Sequence, residues 1–318
     1  MHIGLIDVDG HNFPNLALMK LSAYHKRRGD EVEWYDPFSR YDLVYKSKVF
    51  ADTPDYNYVI NADRIIKGGT GYAIHGAGGE HYRKEDDPVL PYEVEHIYPD
   101  YALYNITDTA YGFLTRGCPR GCSFCIVSGK EGRCSHKVAD LSEFWSGQKN
   151  IVLCDPNILA CREWKDLLGQ LVNSEANIDF NQGLDARMLT EEKCLAIETL
   201  KLKRIHFAWD RYEDKDKVLP KLKMFSEICK IKRYTHNAIV YVLVNHGSTI
   251  EQDLERIYTL RELGYWAYVM VYDKPHAPRV IRDMQRWCNN RLIFARCPRF
   301  EDYNKTEQKE DDRQLMIF

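Results

Sequence analysis

From residue 111 onward, short apolar runs alternate with stretches of helical periodicity, and this rhythm limits the folds open to the chain more than any other feature. The runs at 111–114, 151–153, 178–180, 204–208, 238–244 and 266–272 read as strands. The stretches 158–173, 190–201, 215–230 and 249–263 read as helices between them. Polar residues stand at the strand ends: Asp155, Asn181, Asp210, Asn245 and Asp273. Repeated strand–helix units build parallel sheets that bind ligands at the carboxyl edge. Six units are too few to close an eight-stranded barrel. The pattern therefore predicts an α/β fold with an open, partial (β/α)6 barrel over 101–275.

The first hundred residues have a different grain. A buried-strand pattern at 2–8 precedes a helix over 16–28, with Leu18, Leu21 and Tyr24 on one face and Gly29 as its stop signal. Further strands are expected at 31–35 and 43–50, with another element at 59–66. Strand, helix and strand in this order suggest a smaller parallel unit of Rossmann or flavodoxin type over 1–100. Residues 75–100 mix glycine, proline and charge without periodicity and read as a linker or flexible lid. Residues 276–318 read as a C-terminal extension ending in a mobile polar tail over 301–314.

The chemistry is concentrated in Tyr111-Gly112-Phe113-Leu114-Thr115-Arg116-Gly117-Cys118-Pro119-Arg120-Gly121-Cys122-Ser123-Phe124-Cys125, directly after the first strand of the regular region. Gly117, Pro119 and Gly121 permit the tight bending that turns three thiolates toward one centre. Soft thiolates select zinc or iron–sulfur clusters over hard cations. A structural zinc site takes four ligands, for which Cys134 or Cys154 would be the fourth. Three ligands alone leave a coordination position open for chemistry.

The spacing C-x3-C-x2-C, with an aromatic residue before the last cysteine, resembles the signature of the radical S-adenosylmethionine superfamily. The resemblance covers roughly 111–273. It implies that Cys118, Cys122 and Cys125 bind three irons of a [4Fe–4S] cluster and that S-adenosylmethionine occupies the fourth. It further implies reductive cleavage to a 5′-deoxyadenosyl radical, with an electron donor such as flavodoxin or ferredoxin, and a place for Phe124 near the adenine. Cys154-Asp155-Pro156-Asn157 stands where the family often carries Gly-Gly-Glu, so Asp155 and Asn157 are expected at the methionine end of the cofactor. The Asp-containing version is similar to that of methylthiotransferase-like members, although an Asp there also caps helices. Arg187, in Asn181-Gln182-Gly183-Leu184-Asp185-Ala186-Arg187, is expected to pair with the cofactor carboxylate. Trp209-Asp210-Arg211 is placed on the substrate side, and Val242 to Val244 against adenine.

Many superfamily members carry a cobalamin domain ahead of the barrel. Here the motif Asp-x-His-x-x-Gly would make His11, in Asp9-Gly10-His11-Asn12-Phe13-Pro14, the cobalt ligand. Pro14 replaces the glycine, and Ser47 and Gly68-Gly69 come too early for the downstream landmarks. A degenerate domain shaping the barrel mouth is therefore expected, with Asp9 and His11 facing substrate or capping the following helix. Gly68-Gly69-Thr70-Gly71 offers backbone N–H groups to a phosphate.

The chain has 318 residues, 44% of them hydrophobic and 29% charged, with a formal net charge of −3. No global positive field advertises nucleic acid, and the basic runs 26–28, 201–204 and 230–233 read as solvated helix ends. No apolar stretch approaches the roughly 20 residues of a membrane span, and Asp7 and Asp9 interrupt the only N-terminal apolar run. A cytoplasmic protein without membrane contact is expected, so its ten cysteines are thiols or metal ligands rather than a disulfide framework. Cys288 and Cys297, separated by eight residues, are candidates for an auxiliary cluster, and Cys134 is the remaining cysteine nearest the loop. The substrate is a small molecule, a nucleotide or RNA. The absence of an N-terminal cysteine triad argues against ordinary methylthiolation of transfer RNA. A cobalamin-dependent radical methyltransferase and a non-catalytic metal-binding or sensor protein are the alternatives.

Overall fold

The computed structural model describes residues 1–10, 12–76, 81–231 and 237–303. The chain divides into two compact units, Met1–Asp179 and Phe180–Phe318.

Unit 1 opens with four parallel strands, β1 (His2–Asp7), β2 (Glu31–Trp34), β3 (Tyr41–Ser47) and β4 (Ala62–Gly68), in the order β2-β1-β3-β4. All three pairings are parallel, as the expected α/β unit requires. The helix Leu16–Arg27 connects β1 to β2; Asn15, not Asp9, caps it by accepting from Leu18 N at 3.2 Å. Its Leu18 and Met19 are fully buried, as are Ile3 and Val44 of the sheet. Each such side chain contributes about 1.5–3 kcal/mol by leaving water. The connection from β3 to β4 carries no helix, and its Tyr56 and Ile60 pack with Ile6, Tyr41 and Val44.

Of the expected linker, residues 92–100 are tied to the first helix rather than loose. Lys20 pairs with Glu95 at 3.0 Å, while Asp100 accepts from Ser22 at 2.6 Å and Lys26 at 2.7 Å. Its short helix Tyr92–Glu95 buries Val94. Aperiodic sequence here reflects anchoring by individual polar contacts, which leave no repeat to read.

The rest of unit 1 holds β5 (Thr109–Gly112), β6 (Thr115–Arg116), β7 (His136–Lys137), β8 (Asn150–Leu153), the helix Trp164–Ser174 and the first residues of β9 (Asn177–Asp185). β8 lies between β5 and β9, parallel to β5. Unit 2 takes the remainder of β9 with β10 (Leu202–Ala208), β11 (Ala238–Val244) and β12 (Trp266–Val271), in the order β12-β11-β10-β9. β11 is parallel to both neighbours, and six of its seven residues, Ala-Ile-Val-Tyr-Val-Leu-Val, are buried, as a central parallel strand requires. The helices Glu191–Glu198, Lys215–Ile228 and Ile250–Glu262 fall in the predicted stretches, and Arg279–Asn289 and Arg291–Arg296 follow β12. Thr249 and Gln252 form a capping box that starts Ile250–Glu262. The architecture is mixed α/β with parallel sheets. The expected tail lies outside the described residues from 304 on, as do Lys232 and Arg233 of one basic run.

Candidate functional site

The cysteine loop of unit 1 hangs from two strand ends. Tyr111 and Gly112 of β5 stand opposite Val152 and Leu153 of β8, and Cys154 N donates to Gly112 O at 3.0 Å. Beyond β8, the Asp155 carboxylate accepts from the backbone N–H of Leu114 at 3.1 Å, from that of Thr115, and from the Thr115 hydroxyl at 2.7 Å. Leu114 and Thr115 are fully buried and Asp155 is 2% exposed, so this carboxylate satisfies donors that no water reaches. Burial pushes Asp155 up to about 6, against the hydrogen bonds from Thr115 and Leu114, which favour its charged form.

β6 then pairs antiparallel with β7, Thr115 opposite Lys137 and Arg116 opposite His136, and closes the loop between them. Glu131 ties its neck, accepting from Arg116 at 2.7 Å and from Gly117 N at 2.9 Å, while Cys118 N donates to Gly132 O at 3.2 Å. Gly117 has φ +82°, and a Cβ there would lie 2.2 Å from the Cys134 carbonyl oxygen, so only glycine lets the two chains pass. Within the loop Cys118, Cys122, Phe124 and Cys125 are half-buried, and no cysteine of the chain is in a disulfide. Cys125 N donates to Cys122 O at 3.1 Å, which folds the last two thiols onto one turn.

Asn157, 1% exposed, donates from Nδ2 to Cys118 Sγ at 3.4 Å. Its Oδ1 is buried with no hydrogen-bond partner. The Ser135 hydroxyl holds the Asn157 carbonyl at 2.8 Å. An N–H directed at a sulfur stabilises the thiolate and raises the potential of a metal bound to it. Among the described residues no group of three or more His, Cys, Asp or Glu side chains stands together as a metal site. The donor chemistry nevertheless fits a soft metal–sulfur group: three unbridged thiols on one loop, an amide aimed at one of them, and an orphaned acceptor beside it. Thiol ligands bind a metal only as thiolates, so a metal held here would have to displace their protons as it drew them together.

Unit 2 places the remaining predicted residues as follows. Arg187 donates from Nε to Asp185 and from Nη1 to Asp214, both at 2.7 Å. Trp209 is fully buried with its indole on Arg211 O at 3.0 Å, and the fully buried Arg256 donates to the carbonyls of Trp209 (2.7 Å), Asp210 (2.9 Å) and Leu243 (2.8 Å). Val242 and Val244 are fully buried in their strand. Cys288 and Cys297 donate separately to Ala267 O and Arg299 O, each at 3.2 Å. Cys134 is exposed and bonds Ser135 O.

Two N-terminal expectations change. Asp9 accepts from Val49 N, from Phe50 N at 3.2 Å and from the Thr53 hydroxyl at 2.7 Å, so it fastens the chain after β3 instead of facing a ligand or capping the helix. The glycine cluster is a crossing of backbones: a Cβ on Gly69 (φ +101°) would meet Lys48 O at 2.3 Å, and Gly71 N already donates to that oxygen. His11, the cobalt-ligand position, lies outside the described residues. Sequence reasoning missed the β6–β7 ribbon and Glu131. Two-residue strands carry no period, and a glutamate that reaches back to Gly117 leaves no mark in the sequence.

Comparison with protein-family models finds no match, nor does comparison with curated proteins. Among the described residues, no helix is long and apolar enough to cross a membrane.

Proposed function

We propose that this chain is a radical S-adenosylmethionine enzyme with a partial (β/α)6 barrel. Cys118, Cys122 and Cys125 hold a [4Fe–4S] cluster, and the cofactor lies beside Phe124 and Asn157. The bound cluster supplies the electron that splits S-adenosylmethionine into methionine and a 5′-deoxyadenosyl radical, which takes hydrogen from the substrate. A one-electron donor such as flavodoxin or ferredoxin is the expected partner.

The chain's own residues do the positioning. Asn157 Nδ2 stabilises the Cys118 thiolate and leaves Oδ1 as an unspent acceptor for an ammonium or hydroxyl group. Asp155 acts one step back: by holding Leu114 and Thr115 it fixes the strand end from which the loop departs. Glu131 and Gly117 set the loop's neck. The observation that carries the proposal is the pairing of three unbridged thiols on this loop with the Asn157 amide on Cys118 Sγ.

Anaerobic reconstitution with iron and sulfide, then dithionite and S-adenosylmethionine, tests it. Expected are four irons per chain, a brown chromophore, and 5′-deoxyadenosine on chromatography, all lost in Cys118→Ser, Cys122→Ser and Cys125→Ser. Zinc in place of iron, or a cluster that yields no nucleoside, would overturn it.

A further inference from the structure

A second site lies on the sheet of unit 1. An open cavity of about 760 Å³ runs between the first helix and β4. Its floor is Tyr45 and Ser47 of β3 with Arg64, Ile66 and Gly68 of β4, and its far wall is the segment from Asp87 to His96. The cavity exists because of a missing layer. Parallel strands are ordinarily joined by a helix that covers one face, but the β3–β4 connection has none and packs on the opposite side, against Ile6, Tyr41 and Val44. The face of β4 beside the first helix is left uncovered.

The charges are one-sided. Six lysines and arginines line the cavity against three carboxylates, in a chain whose formal charge is −3. Each carboxylate is already engaged: Asp87 by Lys130 at 2.7 Å, Glu95 by Lys20 at 3.0 Å, and Glu131 by Arg116 at 2.7 Å. Arg64 and Lys84 are exposed, and their side chains make no hydrogen bond or ion pair among the described residues. The wall between them is apolar and aromatic, with Leu21, Tyr24, Ile66, Val89 and Leu90. Unspent cations at the rim suit phosphate, and flat apolar walls suit a base. The volume is that of a ligand pocket rather than a packing defect.

We infer that this cavity binds a nucleoside phosphate, either a free nucleotide or a nucleotide within single-stranded RNA. Arg64 and Lys84 meet the phosphate, and the Tyr24–Leu21 wall takes the base. Arg116, Glu131 and His136 also line it and flank the cysteine loop on both sides, so the ligand lies at the foot of that loop. As a binding site the cavity stands by itself; as the place where substrate is delivered it rests on the function proposed above.

Fluorescence anisotropy with a labelled single-stranded RNA, competed by unlabelled RNA and separately by ribonucleoside monophosphates, tests binding on the purified full chain without reading any cofactor chemistry. The variant Arg64→Glu/Lys84→Glu is compared with Lys223→Glu/Arg282→Glu, which makes the same charge change at exposed positions of unit 2. The first is expected to lose at least about tenfold in affinity and to flatten the salt dependence by about 0.7 in log–log slope per lost contact. The second is expected to bind as the wild type. Competition by monophosphates assigns the free nucleotide, and competition by RNA alone assigns the strand. No binding of the labelled RNA at low salt, with none of a labelled ribonucleoside monophosphate in the same assay, or equal losses in the two variants with thermal melts unchanged, overturns the inference.

Discussion

The buried carboxylate of Asp155 gives the sharpest test of how the cysteine loop is held. Its folded value of about 6 stands roughly two units above the ordinary 3.8. At about 1.36 kcal/mol per unit that is about 3 kcal/mol. The sign follows from proton binding. Between pH 4 and pH 6 the folded chain keeps a proton on Asp155 that the unfolded chain has released, so stability falls as pH rises through this window. The contribution is fully present below about 4 and lost above about 6. Asp155→Asn removes the titration and keeps one oxygen for Thr115, while its amide faces the Leu114 N–H that the second carboxylate oxygen meets at 3.2 Å. That mismatch is a constant offset at every pH. Urea unfolding of the metal-free protein at pH steps from 4 to 7 therefore isolates the charge. The stability of the variant minus that of the wild type is expected to rise by about 3 kcal/mol across the window, whatever its starting value. A difference flat to within about 1 kcal/mol would refute the reasoning, since Asp155 would then titrate near its ordinary value in the folded chain and its burial would carry no charge penalty.

Other outcomes follow from single residues. Gly117→Ala must force a Cβ against Cys134 O at φ +82°, costing about 1–3 kcal/mol of stability; retention of wild-type melting would remove the constraint. Arg256→Leu strips the carbonyls of Trp209, Asp210 and Leu243 of this donor and leaves the buried Asp253 carboxylate without its cation, held only by the Ser248 hydroxyl. Unfolding should show a loss of about 3–5 kcal/mol, part of it recovered when Asp253→Leu is added; a loss below about 1 kcal/mol would contradict this. Alkylation of the native metal-free protein, read by mass spectrometry, should label Cys118, Cys122, Cys125 and the exposed Cys134 first. Burial pushes the Cys194 thiol up to about 11 and that of Cys288 higher still, so equal labelling of either would refute the packing.

Strands β8 and β10 to β12 were legible because each carries an apolar run long enough to show its burial, and Ile250–Glu262 because Thr249 and Gln252 announce it. β5, expected at 111–114, runs instead over Thr109–Gly112, and β9, expected at 178–180, continues to Asp185. The first crossover was not. Where a long helix is the rule, β5 and β8 are joined by the cysteine loop, a four-residue helix at Val127–Lys130 and a two-strand ribbon, none long enough for a period. The order β2-β1-β3-β4 was legible as a type, but not the bare face of β4, since nothing in 48–61 declares on which side of the sheet it will pack.

The polar residues after the strands teach a narrower lesson. Position alone makes each a candidate for ligand contact, yet most are spent on the chain itself. Asp155 holds Leu114 and Thr115, Asn245 donates to Tyr272 O at 2.9 Å, and Asp273 accepts from His276 at 2.8 Å. A parallel sheet needs such groups because the backbone turning off each strand leaves donors and acceptors that water does not reach. The useful discriminator is therefore the atom left over. Asn157 spends its amide on Cys118 Sγ and keeps a buried oxygen without a partner. A folded chain tolerates that cost, about 1–3 kcal/mol, where a bound group repays it, which places the weight of the candidate site on Asn157 rather than on the more conspicuous Asp155.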